Sequence, residues 1–464
     1  MKPFDEELVK GNIFRSVWKL SWPVVLLNLV NGMHGHVDHI LIGHYLPSPT
    51  NAANAAIGVA WQVFLVVVVF MASLFQGMNV LVARHAGRQD RERLSKVVYA
   101  CFLTGVYVHV FIVAPLGYFL SPHLLNFVEA DPEVIHHALP YIRILFVFGS
   151  PMFLMFLLTG AFQASGDPKT PLLLGVMTTL INIGVSALLI IGPGPFPELG
   201  TMGAAIGTVA ATATGAVIAI IIILGRKRII QPPDHFHLIP DFNVIRSVAR
   251  IGIPTGIQAV LLNIGGVFLL RFIGKLDYSA SAQAAYTICY VQLFSLVTWT
   301  SFGLRAAAST LMGQNLGADQ PERARLAVQV AAGVGAVWAA VVGLIFWNFP
   351  EALLWLFQAV DEPIRSLGVS LLRFLSFSGV ILAVTLAFTG GLQGAGETKT
   401  PMYIAFLTQI VVLLGYCLIL EYQHALTADR IWFGILLSHS VRLIMTYAVF
   451  RKGRWALIRL ELDH

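Results

Sequence analysis

Between Thr201 and Leu224 the chain carries no charged side chain, and comparable runs recur along its whole length. About 20 apolar residues rising about 1.5 Å each cross a hydrocarbon layer about 30 Å thick. Inside lipid every backbone N–H and C=O must be bonded within a helix or a closed barrel, and barrel strands are short and alternating. These runs are neither, so they are expected to be helices. Composition agrees: of 464 residues only 12% are charged and 57% are hydrophobic, whereas soluble domains carry about 25% charged residues. A soluble enzyme, a nucleic-acid binder and a disordered scaffold are therefore excluded, and the net charge of +6 is no nucleic-acid footprint.

The apolar runs predict twelve spans, at about 17–45, 53–82, 97–120, 136–161, 171–192, 201–225, 245–273, 282–312, 326–349, 366–391, 401–421 and 431–450. One set of loops holds Arg84, Arg88, Arg91, Arg93, Lys96, Lys169, Arg226, Lys227, Arg228, Arg323, Arg325 and Lys399, with a basic tail at Arg451, Lys452, Arg454 and Arg459. The opposite set has only Lys275, Arg365 and Arg430 but gathers Glu129, Asp131, Glu133, Glu198, Glu351, Asp361 and Glu362. Lysine and arginine favour the cytoplasmic side, so both termini are expected there, in a multi-pass protein of the inner (plasma) membrane. No cleavable signal peptide is expected, because the N-terminus is polar and the first apolar run too long. Cys101, Cys289 and Cys417 lie inside apolar runs and suggest no disulfide.

The polar stretch 226–244, rich in proline and charge, lies at the midpoint and predicts a cytoplasmic linker. It separates an N-terminal six-helix bundle, 1–225, from a C-terminal one, 245–464, with a short basic tail. The two halves repeat each other at a shift of about 230. QASGDPKTP at 163–171 matches QGAGETKTP at 393–401. Gly87, Glu92 and Arg93 match Gly317, Glu322 and Arg323. Asp131 matches Asp361, Arg143 matches Arg373, and FRSVWKLSWP at 14–23 matches IRSVARIGIP at 245–254. Several matches in one register indicate duplication. Six spans per half give parallel repeats related by a pseudo-two-fold axis along the membrane normal, a geometry suited to alternating access.

The paired Q-x-x-G-[DE]-x-K-T-P loops, STLMGQNLGA at 309–318 and VDHILIGHYL at 37–46 together resemble the multidrug and toxic compound extrusion (MATE) family over nearly the whole chain. The resemblance implies twelve helices in two bundles around a V-shaped cavity. It also implies export of amphipathic or cationic organic compounds against inflow of H⁺ or Na⁺. Small-molecule substrates, H⁺ or Na⁺ and the bilayer are then the partners, with no nucleic acid. A monomer and no cofactor are expected. No Walker GxxxxGK[ST] motif is present, which argues against direct ATP drive.

Asp38 is the one carboxylate well inside a predicted span. An ionised carboxylate there costs about 2.5–3.5 kcal/mol on insertion scales, which makes a lone one a functional-site hypothesis. Asn31, His34 and Asp38 share a helix face, Asn28 and His39 flank it, and His36 points away. His34 either tunes the proton on Asp38 or hydrogen-bonds within the bundle. Those histidines cannot all converge on one ion from a single helix, so no metal site is expected without ligands from other helices. The resemblance places the coupling acid at Asp38. Asn182 and Thr208 supply further polar groups. Many relatives carry an Asp four residues after the Asn of span 5, where this chain has Ser186. Another branch carries a Glu about eight residues after the span-7 proline, near Leu262 and Asn263 here. Both departures favour H⁺ coupling and the DinF-like branch over the NorM-like one.

Gln258, Asn263, Gln283, Tyr286, Tyr290, Gln292 and Arg305 are candidates for the substrate cavity of the second half. Arg143, Arg271, Arg373 and Arg442 are expected to reach the interface with their long side chains. Pro23 and Pro254, in the first span of each half, each remove a backbone bond and permit a kink. The KTP loops are expected to be structural elbows. Competing readings are a flippase for a lipid-linked precursor, which usually has extra spans or a strongly cationic cavity, and an intramembrane metal-dependent enzyme. The latter would need metal ligands on a second helix, and no HExxH pair is present.

Overall fold

The computed structural model describes residues 4–45, 50–127, 131–233, 236–357, 359 and 361–460; within its helices the side chains of 31–45, 50–54, 65–66, 70 and 73–74 lie outside the description. Among the described residues every element is helical. The helices are α1 Glu7–Lys10, α2 Ile13–Tyr45, α3 Thr50–Gly87, α4 Arg91–Phe127, α5 Pro132–Phe148, α6 Ser150–Ala164, α7 Lys169–Ile191 and α8 Thr201–Leu224. They continue as α9 Phe242–Ile273, α10 Ser279–Gly317, α11 Pro321–Asn348, α12 Pro350–Leu356, α13 Glu362–Gly394, α14 Lys399–Tyr422 and α15 Ala428–Arg451.

Ten of them are long and apolar enough to cross a membrane, or eleven when α5 and α6 count as one bent span. The expected second span falls in α3, part of whose side chains lie outside the described residues. The fourth span, expected as one helix over 136–161, is instead a pair bent by 54° at Gly149. Pro151, in the first turn of α6, has no N–H to continue the α5 ladder, so the break is written in Gly149-Ser150-Pro151. Three spans also widen into π-helical turns that periodicity did not predict, at His109–Val113, Thr287–Leu293 and Leu407–Leu414.

The chain forms two compact units, Met1–Asp5 with Leu26–Ile253 and Glu6–Val25 with Pro254–Asp463. The helices that pass from one unit to the other are α2 and α9, next to Pro23 and at Pro254. Both prolines are buried. The start of α2 and the start of α9 therefore pack away from the remainder of their own helices.

Packing within each unit relies on small residues, as expected where hydrophobic exclusion cannot drive helices together. In the first unit a Cβ added to Gly207 of α8 would stand 2.2 Å from Ser186 Oγ and 2.9 Å from its backbone nitrogen on α7. In the second, Cβ atoms at Gly390 and Gly394 of α13 would stand 2.2 Å and 2.3 Å from the Arg305 and Ser309 carbonyls of α10. Larger side chains fill the core of the second unit around Phe294, Phe346, Leu371 and Trp432.

The duplication is visible in the backbone. Gly166 and Gly396 have φ of 93° and 94°, and Gln89 and Asp319 have φ of 60° and 55°. Each KTP loop closes in the same way: Gly166 and Gly396 N–H donate to the carbonyls of Gln163 and Gln393, and Asp167 and Glu397 N–H to those of Phe162 and Leu392. The loop acid then holds the next helix, through Thr170 Oγ1 to Asp167 at 3.0 Å and Thr400 Oγ1 to Glu397 at 2.7 Å. These contacts give the loops the elbow role read from their sequence. Asp167 also pairs with Arg228 at 3.0 Å.

Part of STLMGQNLGA has a comparable anchoring job. Asn315 Nδ2 donates to the Leu8 carbonyl at 3.3 Å, and Arg323 Nη2 to the Gly11 carbonyl at 2.6 Å, which fixes α1 with Leu8 buried. Lys19 donates to Glu7 at 2.8 Å and holds its carboxyl below the usual range.

Candidate functional site: two buried polar clusters

The first cluster lies between α7 and α8. Asn182 is fully buried, and its Nδ2 donates to Thr208 Oγ1 at 3.2 Å and Ser186 Oγ at 3.3 Å. The Gly207 contact is what lets α8 approach closely enough for the bond to Thr208. Asn182 and Thr208, named from the sequence as further polar groups, are thus neighbours across a helix pair. The Asn182 Oδ1 has no hydrogen-bond partner among the described residues, nor does the buried Thr179 Oγ1 one turn earlier. With two hydroxyls at one end of the amide, either orientation leaves the other end unpaired. An interior polar atom of this kind is costly unless something else meets it. Asp38, His34 and Asn31 lie on α2, and their side chains fall outside the described residues.

The second cluster belongs to the C-terminal unit. Arg305 of α10 donates from Nε and Nη2 to Gln393 Oε1 at 3.1 Å and 2.8 Å. Gln393 is wholly buried and donates in turn from Nε2 to Gln258 Oε1 on α9 at 2.9 Å. Two residues expected in the cavity, Arg305 and Gln258, are therefore joined by a third that had been read only as part of a loop motif. The signal was present, since glutamine opens both KTP loops, but spacing alone could not say which way it turned.

Arg442 departs from expectation. Its guanidinium does not reach for the interface: Nε donates to Thr408 Oγ1 and Nη2 to Gln409 Oε1, both at 2.9 Å. The π-helical turn at Leu407–Leu414 carries both acceptors, and Ser438 Oγ donates to the Thr408 carbonyl at 2.8 Å. Interior acceptors on α14 thus outcompete the interface. Among the described residues no carboxylate pairs with Arg305 or Arg442. Arg143 and Arg373 stand over aromatic rings, 4.4 Å from that of Tyr118 and 5.7 Å from that of Trp347.

The remaining candidates divide. Tyr286 is buried and stacks on Tyr290 at 4.9 Å and on Trp432 at 6.2 Å, which makes it a packing residue. Tyr290 is half-buried on the π-helical turn Thr287–Leu293. Asn263 is exposed and its Nδ2 bonds the Ala259 carbonyl of its own helix, and Gln283 is exposed on α10. The structure does not bring these two into either cluster. All three cysteines are buried and free.

A helical membrane protein built from two sequence repeats, with polar side chains gathered inside each unit, has the make-up of a secondary transporter. The profile of the MatE family matches twice, over residues 23–188 and 254–418, at the same offset as the internal repeat. The chain belongs to this family, the multidrug and toxic compound extrusion transporters, and is a membrane transporter rather than an enzyme.

It is 25% identical over 449 residues to the probable multidrug resistance protein YoeA of Bacillus subtilis, covering 95% of this chain and 94% of that one. It is 24% identical to the probable multidrug resistance protein NorM of Thermotoga maritima, covering 96% and 93%. Among solved structures it is similar to an outward-facing multidrug resistance MATE family transporter, with a TM-score of 0.89, 19% identity and coverage of 99% and 100%. It is also similar to a MOP superfamily transporter from Pyrococcus furiosus, with a TM-score of 0.88, 19% identity and the same coverage.

Proposed function

We propose that the protein is an H⁺-coupled antiporter that exports amphipathic organic compounds from the cytoplasm by alternating access, as a monomer with both termini cytoplasmic. The names of its curated relatives, multidrug resistance proteins, support the cargo class. The loop charge bias supports the orientation. One observation carries the coupling: Asp38 is the only carboxylate well inside a predicted span. Desolvation favours the neutral form of such a group and brings proton uptake and release toward physiological pH. Ser186 accepts a neutral hydrogen bond where many relatives have an acid, which leaves fewer hard oxygen ligands for Na⁺. The unpaired end of the Asn182 amide offers a partner for a protonated carboxyl or its proton. Pro23 and Pro254 stand where α2 and α9 change unit, the places at which a helix would have to give during alternation.

The test is transport in sealed vesicles with Asp38→Asn. Loss of proton-driven efflux with normal expression and folding is expected; full retention would overturn the coupling role. Efflux driven by a sodium gradient at zero ΔpH would overturn the choice of ion.

A second reading follows from Arg305 and Arg442, two interior guanidiniums whose partners among the described residues are neutral. They favour an anionic cargo, such as a lipid-linked precursor. The same vesicles decide: competition by anionic amphiphiles and none by cationic dyes would replace the first reading with the second.

A further inference from the structure

Residues 230–233 and 236–241 are tied to α4. Starting at Ser95, near the basic end of α4, Gln231 N–H donates to Ser95 Oγ at 3.1 Å. The Tyr99 hydroxyl then donates to the His237 carbonyl at 2.8 Å, and the Tyr107 hydroxyl to the Leu238 carbonyl at 2.6 Å. The chain returns to the start of the helix, where Asp241 pairs with Lys96 at 2.8 Å. The segment thus climbs α4 and comes back within a few residues.

The climb can be measured along the helix. Tyr107 stands about 16 Å beyond Lys96 at about 1.5 Å per residue. Helical side chains lean toward the N-terminus, so the tyrosine hydroxyl meets the strap several ångströms lower, about 10 Å past the basic residues. At that level α4 is already apolar, in the run Val97, Val98, Tyr99, Ala100, Cys101, Phe102, Leu103. The side chains presented there match the surroundings. Phe236 is 67% exposed and Leu238 and Ile239 76%. Beneath the strap is a cavity of about 100 Å³, lined by Val98, Phe102, Leu158, Ile220, Pro233 and Phe236 among others.

Backbone carbonyls need partners at this depth. The two tyrosine hydroxyls supply them at His237 and Leu238, while Pro232, Pro233 and Pro240 have no N–H to satisfy. Lys96, Lys227 and Arg228 flank these apolar stretches in the sequence.

We propose that residues 236–239 form a membrane-inserted strap whose partner is the acyl-chain region of the leaflet on the basic side, hooked to α4 by Tyr99 and Tyr107. The strap is an interfacial anchor of the kind amphipathic segments make, reaching about 5–10 Å below the headgroups. It needs the chain to span the bilayer and is independent of cargo and coupling ion.

The experiment places an environment-sensitive fluorophore on Leu238→Cys in the full chain, with Cys101, Cys289 and Cys417 replaced by alanine. The protein is reconstituted in phosphatidylcholine–phosphatidylglycerol vesicles, with Lys227→Cys as the surface control. Strong quenching of the Leu238 probe by lipids brominated on acyl carbons, with protection from aqueous iodide, is expected, and the reverse at Lys227. Iodide quenching of the Leu238 probe equal to that of the control would overturn insertion. Tyr99→Phe with Tyr107→Phe removes only two hydroxyls and is expected to shift the Leu238 probe toward iodide. A probe that does not move in this variant refutes the tyrosine hook.

Discussion

Replacing Gln393 by leucine isolates what the second cluster contributes. The substitution keeps the volume and removes the one acceptor that meets both Nε and Nη2 of Arg305. Hydrogen bonds from a charged donor contribute about 1.5–3 kcal/mol each. Here two share a single oxygen, so their sum overstates the loss. A fully buried charge stripped of its partner typically costs about 3–5 kcal/mol, and Arg305, which is half-buried, loses less. Release of the Gln258 side chain is minor, because that residue is only half-buried and can turn. Gln393→Leu is therefore expected to destabilise by about 2 kcal/mol.

Most of that cost is the stranded guanidinium rather than the lost bond. Arg305→Met combined with Gln393→Leu should accordingly lie within about 1 kcal/mol of the parent, because two apolar groups then face each other. Equilibrium unfolding in mixed micelles, run as a double-mutant cycle, measures both quantities. A single-variant loss below about 1 kcal/mol, or a double variant as damaged as the sum of the singles, would refute the reasoning.

Gly207→Ala puts a methyl 2.9 Å from the Ser186 backbone nitrogen, where a side-chain rotation cannot relieve it. It is expected to cost about 1–3 kcal/mol by the same unfolding assay, and an unchanged midpoint would show that α7 and α8 have slack. The strap should respond to pH through Asp241, whose carboxyl the Lys96 hydrogen bond holds below its ordinary value of 3.8. A depressed folded value means the stabilisation is present above that ordinary value and lost as pH falls through the depressed one. Lys96→Met should therefore move acid release of the strap to higher pH, read as loss of amide-exchange protection at Phe236–Asp241. An identical release profile would mean the ion pair contributes nothing.

Class, helical content and duplication were legible in the sequence because each depends on many residues at once. An apolar run of span length has one stable conformation in lipid, and a repeat held in one register over both halves survives local substitutions. The KTP loops were legible as turns for the same reason, and Gly166 and Gly396 adopt one geometry in both copies. The Asn182–Thr208 contact was half legible: both residues stood out as polar groups in apolar spans, but only packing through Gly207 makes them neighbours.

Other features were decided by contacts between distant parts of the chain. Gln393 answers Arg305 from 88 residues away, and Arg442 finds Thr408 and Gln409 on a widened turn that no 3.6-residue periodicity announces. The stretch 226–244 read as a polar linker from its charges and prolines, yet its second half lies along α4 because two tyrosine hydroxyls can reach its carbonyls. Sequence alone determined which segments must leave water, since transfer of apolar surface is a sum over residues in a window. Tertiary structure decided which polar groups meet inside, since a hydrogen bond requires two particular atoms about 3 Å apart and sequence distance carries no information about that.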